Sequence, residues 1–148
     1  HAALNVLRSS TDSSVLGAGS VDGRGFFAAR AQLPGQLLSD MGAAIEFLTN
    51  KTECCSEPMV NVIISGAENQ MLGIVLPRRK HRPACFFNEH SDKLLISPGA
   101  VDLAGMAILP RKADFDTITA ARLEQIFNEV CHGPELFSGL ANSCRRSY

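Results

Sequence analysis

Residues 71–83 decide the fold, because an apolar run meets a cationic loop there. The run Met71-Leu72-Gly73-Ile74-Val75-Leu76 is followed by Pro77-Arg78-Arg79-Lys80-His81-Arg82-Pro83. A short apolar run bounded by turn residues is typical of a buried strand. Two prolines fix the backbone on either side of the loop. We therefore predict a strand that ends at Pro77 and leads into a restricted loop, here called the basic segment (Arg78–Arg82).

Outward from this strand, the pattern predicts further strands. Residues 59–65 form an alternating apolar strand, and the loop 66–70 is short enough for a hairpin with residues 71–76. The run Ala107-Ile108-Leu109-Pro110-Arg111-Lys112 resembles Ile74-Val75-Leu76-Pro77-Arg78-Arg79-Lys80 but is too short to be a repeat, and a second strand is expected to end in proline followed by cations. The other predicted strands cover residues 26–31, 84–87, 93–96 and 103–109.

Two helices are expected from apolar residues at three- and four-residue spacing. The first begins near Pro34 and ends near Lys51, and the second follows a cap at Thr117 or Thr119 and ends at Gly133. Two helices on about five mostly antiparallel strands predict an α+β fold in which the helices cover one face of the sheet. The apolar stripe of the first helix contains Leu37, Leu38, Met41, Ala44, Ile45 and Leu48. The apolar stripe of the second helix contains Leu123, Ile126, Phe127 and Val130.

The 148 residues suit one domain. We expect a single α+β domain over residues 1–148, with a loosely patterned segment 1–25 and a frayed tail 142–148. Within residues 1–25, Val6-Leu7 and Val15-Leu16 form either short strands or irregular structure. Because the chain begins at His1 rather than Met, we expect it to be a fragment of a longer protein or a processed product.

Composition excludes several classes of protein. A net charge of −1 gives no global field for nucleic acid, and no apolar run reaches the ~18 residues of a membrane span. Five cysteines are an odd number, which argues against a closed disulfide framework and favours the cytoplasm. Cys85 and Cys131 have apolar neighbours and are predicted to be buried free thiols. No Cys/His spacing predicts a metal, and no motif predicts a cofactor.

The basic segment is the candidate binding site. Arg78, Arg79, Lys80 and Arg82 are four cations within five residues, and His81 lies between them. A phosphate or polyphosphate would relieve the repulsion among these charges. The alternative is a solvated loop whose charges protect a sheet edge from aggregation. No aromatic residue is interleaved with these cations, which disfavours a nucleic-acid site.

Other candidate residues do not form a recognisable active site. His81, His90 and His132 are isolated in the sequence, and structural or surface roles are favoured for them. Ser97 and Asp102 flank a glycine turn, where turn and capping roles are expected. The catalytic residues are therefore unknown from sequence.

Three segments together resemble a known group of enzymes: residues 58–64, 74–83 and 95–105. They are similar to the C-terminal part of an uncharacterised bacterial family related to the histidine-triad superfamily, near GDP-galactose phosphorylase and diadenosine tetraphosphate phosphorylase. The resemblance covers roughly residues 57–131, about half of the chain. The most specific piece is Pro77-Arg78-Arg79-Lys80-His81-Arg82-Pro83.

The resemblance implies nucleotide chemistry, in which a histidine attacks a nucleotide phosphate and the nucleotidyl group passes to an acceptor. The His-x-His-x-His or His-x-His-x-Gln strand of that superfamily does not occur in this sequence. The expectation is therefore part of a phosphorylase- or nucleotidyltransferase-like protein that acts on a nucleotide or nucleotide sugar. The basic segment would bind phosphate. The alternative is a non-catalytic domain that completes a missing N-terminal half or a second subunit by packing.

Overall fold

The computed structural model describes residues 3–9, 15–51 and 57–137. Within these ranges the chain forms one five-stranded antiparallel sheet, four α-helices and three 3-10 turns. The strands are β1 (Ala3–Ser9), β2 (Val15–Val21), β3 (Arg24–Ala31), β4 (Val60–Ala67) and β5 (Gln70–Pro77). The helices are α1 (Pro34–Lys51), α2 (Ala100–Leu103), α3 (Lys112–Thr117) and α4 (Ala120–Val130), and the 3-10 turns are Ala84–Phe86, His90–Asp92 and Pro134–Phe137.

The sheet confirms the α+β class and the antiparallel arrangement. Its strand order is β1-β2-β3-β5-β4, so β5 lies between β3 and β4. The predicted hairpin joins β4 to β5, with pairs from Val60 and Pro77 to Ala67 and Gln70. The basic segment therefore leaves the sheet from the end of a paired interior strand, which fixes its starting point.

Helix α1 covers one face of this sheet. Its buried residues Leu37, Met41 and Leu48 pack on Phe27 and Val75 in the first core cluster. Gly73 permits the close approach, since a Cβ there would lie 2.5 Å from Met41 Sδ. Leu38 was predicted in the apolar stripe but is 63 % exposed. That part of the prediction is wrong, because the stripe that meets the sheet is narrower than the apolar pattern.

Helix α4 packs in a second cluster instead of beside α1. This cluster contains the buried residues Cys85, Ile96, Ile126 and Phe127. The side chain of Thr119 accepts a hydrogen bond from the Arg122 N–H at 3.2 Å, which confirms the predicted cap of this helix. The expectation that both helices cover one face of the sheet is wrong, because α4 packs in a cluster separate from that of α1 and the sheet.

The strands predicted after the basic segment are also wrong. Residues 84–86 form a 3-10 turn, residues 93–99 are irregular, and residues 100–103 form α2. Here aspartate carboxylates accept the backbone hydrogen bonds that the carbonyls of a neighbouring strand would otherwise accept. Leu95 N–H donates to Asp114 at 3.1 Å, and Ile108 N–H donates to Asp102 at 2.9 Å. Because these side chains satisfy the backbone, Ile96 is buried without a sheet, whereas Met106 and Ile108 are 66 % and 56 % exposed.

A second anchor holds the same irregular segment. Arg111 donates two hydrogen bonds to the Asp114 carboxylate, at 2.8 and 2.7 Å, and a third to the Lys93 carbonyl. Hydrogen bonds from Arg111 lower the pKa of Asp114. Arg111, the residue after Pro110, thus holds Lys93 at the start of the irregular segment.

Strands β1 and β2 lie in the segment expected to be loosely patterned. Strand β2 contains Gly17, Ala18 and Gly19, which have weak strand propensity, yet all three are buried. Pairing with β1 and β3 on both sides determines its conformation. The predicted tail 142–148 and the boundaries at residues 1 and 148 lie outside the described residues.

Candidate phosphate-binding site

The basic segment is attached to the end of α4. Arg78 forms an isolated antiparallel bridge with Cys131. Arg79 N–H donates to the Val130 carbonyl at 2.8 Å, and His132 N–H donates to the Pro77 carbonyl at 3.1 Å. These bonds hold the first residues of the segment, so its side chains project from a fixed backbone.

Arg78 is a buried residue rather than an exposed cation, with 8 % of its surface accessible. Its guanidinium donates to the carbonyls of Pro98 at 2.5 Å, Lys80 at 2.9 Å and His81 at 2.7 Å. Its Nε is buried with no hydrogen-bond partner, and no carboxylate of the described residues lies within ion-pair distance of it. Burial lowers the pKa of Arg78, and the charges of Cys131 and Asp102 oppose that change.

Two further cations have carboxylate partners. Lys80 Nζ lies 3.0 Å from Glu129 Oε1, which also accepts a hydrogen bond from the Ala84 N–H at 2.9 Å. Burial raises the pKa of Glu129, but its bonds with Lys80 and Ala84 outweigh burial and lower it. Arg79 lies 3.6 Å from Glu135 in an exposed ion pair. The repulsion expected among the cations is thus partly relieved within the chain.

Arg82 makes no ion pair among the described residues. Its Cζ lies 4.1 Å from the centroid of the Phe86 ring, a cation–π contact. The 3-10 turn that follows Pro83 brings this ring back to the cations. A sequence window limited to residues 78–82 misses it, because the aromatic residue comes four positions after Arg82.

Four of the five predicted residues, the buried Arg78 among them, line one open cleft of about 750 Å³. Lys80, His81 and Arg82 lie on one side of this first cleft, and Arg78 is beneath it. The opposite wall is the irregular backbone at 97–99, and Phe87 completes the lining. Cationic side chains thus share one concave surface with an aromatic ring.

Arg79 contributes instead to a second cleft of about 610 Å³. This cleft also contains Lys51 and the half-buried His132, and it shares Arg78 and His81 with the first. Burial lowers the pKa of His132, the charge of Arg79 lowers it further, and Glu135 raises it. The basic segment therefore separates two clefts, and its side chains do not form a single phosphate cage.

Cys85 and Cys131 are buried free thiols, as predicted. Burial is the main cause that raises the pKa of each thiol. Within the described residues, no group of three or more His, Cys, Asp or Glu side chains is arranged to hold a metal ion. No helix of the described ranges is both long and apolar enough to cross a bilayer.

Comparisons with known proteins give no relative for this chain: no protein-family model, curated protein or solved structure matches it. The likeness to histidine-triad-like phosphorylases therefore stays a hypothesis.

Proposed function

We propose that this chain contributes a phosphate-binding surface to a protein that acts on nucleotides or nucleotide sugars, in the manner of a phosphorylase or nucleotidyltransferase. The binding residues are Lys80, His81 and Arg82, and Arg78 supplies charge from beneath. Arg79, which was predicted with them, faces the second cleft and is assigned no direct phosphate contact.

The observation that carries the proposal is the buried, unpaired charge of Arg78 beneath the first cleft. A buried cation is costly unless a nearby anion or well-placed dipoles compensate it. Three carbonyl oxygens surround Arg78, but the described residues give it no paired carboxylate. The charge of Asp102 acts on Arg78 without forming an ion pair with it, and an anion in the first cleft would add a second negative charge.

The volume of the first cleft and the chemistry of its side chains fit a phosphate-containing small molecule. A volume of about 750 Å³ lies within the usual range of small-molecule sites. Arg82 has no carboxylate competitor, so its guanidinium is free to bind phosphate oxygens in pairs. The resemblance to nucleotide phosphorylases supports the same class of ligand. The chain itself contains no His-x-His-x-His or His-x-His-x-Gln strand, so the proposal assigns it binding rather than nucleotidyl transfer.

A thermal-shift titration with nucleoside diphosphate tests the proposal. At a free ligand concentration about 100 times Kd, native-state binding stabilises the fold by about 2.7 kcal/mol, which corresponds to about 5–10 °C in Tm. Arg82→Gln removes a charged hydrogen-bond donor, and we expect affinity to fall about 10- to 100-fold. Added salt should weaken binding, because these side chains are exposed and their charges are screened.

Lys112→Gln is the matched control, since it also removes one positive charge. Lys112 is an exposed residue of α3, paired with Asp116 at 2.6 Å, and it lines neither of the two clefts. Its substitution should leave the ligand-induced shift unchanged. If wild-type protein shows no shift with nucleotide, pyrophosphate or polyphosphate, the basic segment is a solvated loop and the proposal fails.

The second candidate function, a packing domain, has one observation in its favour. Edge strand β4 carries no charged residue, and its side chains Val62 and Ile64 are 38 % and 54 % exposed. Edge strands of this kind pair readily with another strand. Association of the chain in sedimentation measurements, combined with an absent nucleotide shift, would favour packing over phosphate binding.

A further inference from the structure

The Phe87 ring lies in the first cleft and is exposed, with 68 % of its surface accessible. Its backbone is well held. Phe87 N–H donates to the Ala84 carbonyl at 3.0 Å, and Leu94 N–H donates to the carbonyl of the buried Cys85 at 3.0 Å. An apolar ring is therefore presented to solvent on a turn that is anchored from below.

The ring lies next to the cation that is free to bind phosphate. Phe87 and Phe86 meet edge to face, with centroids 5.3 Å apart and planes at 73°. Arg82 in turn stacks on Phe86 at 4.1 Å. An aromatic surface and a positive charge are thus linked through one intervening ring, which suits a ligand that carries a flat base next to phosphate.

The opposite wall offers few polar groups with which to read the edge of a base. The Pro98 carbonyl accepts from Arg78, the Gly99 N–H donates to Asp102 at 2.8 Å, and the Gly99 carbonyl accepts from Leu103 at 3.1 Å. Proline has no N–H of its own. Among the described lining residues there is no Asn, Gln, Asp or Glu, so Ser97 remains as the main polar group on that wall.

We propose that the first cleft holds the base of its nucleotide by stacking on Phe87 and does not read the edge of the base. This inference rests on the proposed function, because it assumes that phosphate binds at Arg82. Stacking depends on the area of the π-face and tolerates different bases. The site should therefore favour purine over pyrimidine nucleotides and bind adenine and guanine nucleotides alike.

Calorimetric titration with ADP, GDP, CDP, UDP and pyrophosphate tests this inference on wild type and Phe87→Ala. Loss of a stacking contact is worth about 1–3 kcal/mol per base, so nucleotide affinity should fall about 5- to 150-fold. Pyrophosphate affinity should not change, because pyrophosphate has no base. Phe87→Leu keeps an apolar side chain without the ring and should lose most of the same affinity.

Phe115→Ala is the matched control, because Phe115 is 66 % exposed on α3 and lines neither of the two clefts. It should leave every affinity unchanged. ADP and GDP that bind within about threefold of each other support stacking without edge reading, since stacking is tolerant of the base. A preference above about tenfold for either one overturns the proposal, because it requires hydrogen bonds to the base edge.

Two other outcomes separate this inference from the proposed function. If wild-type protein binds pyrophosphate as tightly as ADP, or Phe87→Ala binds nucleotides normally, the stacking role is wrong while the phosphate site stands. If neither pyrophosphate nor any nucleotide binds, the proposed function and the stacking role both fail.

Discussion

Replacing Arg78 with methionine should destabilise the protein far more than replacing its neighbour Arg79. Methionine fills a similar volume but cannot donate hydrogen bonds. The change would remove three bonds to carbonyl oxygens, at 2.5, 2.9 and 2.7 Å, from a residue that is 8 % exposed. The bond to Pro98 connects the end of β5 to the irregular wall of the first cleft, and the bonds to Lys80 and His81 hold the backbone of the basic segment.

The magnitude follows from two opposing contributions. Each hydrogen bond from a charged group contributes about 1.5–3 kcal/mol, and each buried acceptor left unpaired costs about 1–3 kcal/mol. The loss is reduced because a buried positive charge is no longer desolvated. We expect a net loss of about 3–5 kcal/mol in the free energy of unfolding, near the upper end for a single substitution. Arg78→Lys should lose less, since an ammonium group keeps the charge but lacks the planar fork that spans three carbonyls.

Urea unfolding of wild type, Arg78→Met and Arg79→Met provides the measurement. Arg79→Met is the matched control, because its ion pair with Glu135 is exposed at 3.6 Å and should contribute at most about 1 kcal/mol. Equal m-values would show that the variants unfold from similarly compact states. A loss below about 1 kcal/mol for Arg78→Met, in the range of surface substitutions, would refute the structural role of this side chain.

Two further predictions concern the second cluster and His132. Ile126→Ala should cost about 2–5 kcal/mol in denaturant unfolding, since Ile126 is 2 % exposed, and a cost below about 1 kcal/mol would place this face of α4 in solvent. Burial lowers the pKa of His132, so the unfolded chain takes up a proton near its ordinary pKa of 6.5 while the native state remains neutral. Stability should therefore fall as the pH drops below 6.5, and His132→Gln should flatten this pH dependence. An unchanged profile in His132→Gln would contradict this assignment.

The sequence predicts the elements whose signals are local. Helix α1, helix α4 and the β4–β5 hairpin each combine apolar periodicity with nearby turn or capping residues, and all three occur in the structure. Strands β1 and β2 lack such a signal, because their small residues gain a strand conformation only from pairing with neighbours. Residues 84–109 mislead for the opposite reason: their apolar runs are typical of strands, but the carboxylates of Asp102 and Asp114 accept the backbone hydrogen bonds that a neighbouring strand would otherwise accept.

The sequence predicts which charged residues form the candidate site, but not the ion-pair and hydrogen-bond partners of those residues. The cationic composition of residues 78–82 is visible in the sequence. The ion pair of Lys80 with Glu129 joins residues 49 positions apart, and no local pattern predicts such a contact. Burial of Arg78 is equally hidden, because it depends on the Pro98 carbonyl, 20 positions away, as well as on two carbonyls of the basic segment.

The arginines of the Pro77-Arg78 and Pro110-Arg111 pairs affect the cost of binding a ligand in the first cleft. Arg111 holds the Lys93 carbonyl and Arg78 holds the Pro98 carbonyl, so both ends of one irregular segment are tied to arginines. The conformational entropy of this wall is therefore lost during folding, before any ligand arrives. A ligand that enters the first cleft meets a wall that needs little further ordering, and its binding free energy is not reduced by the cost of organising a loop.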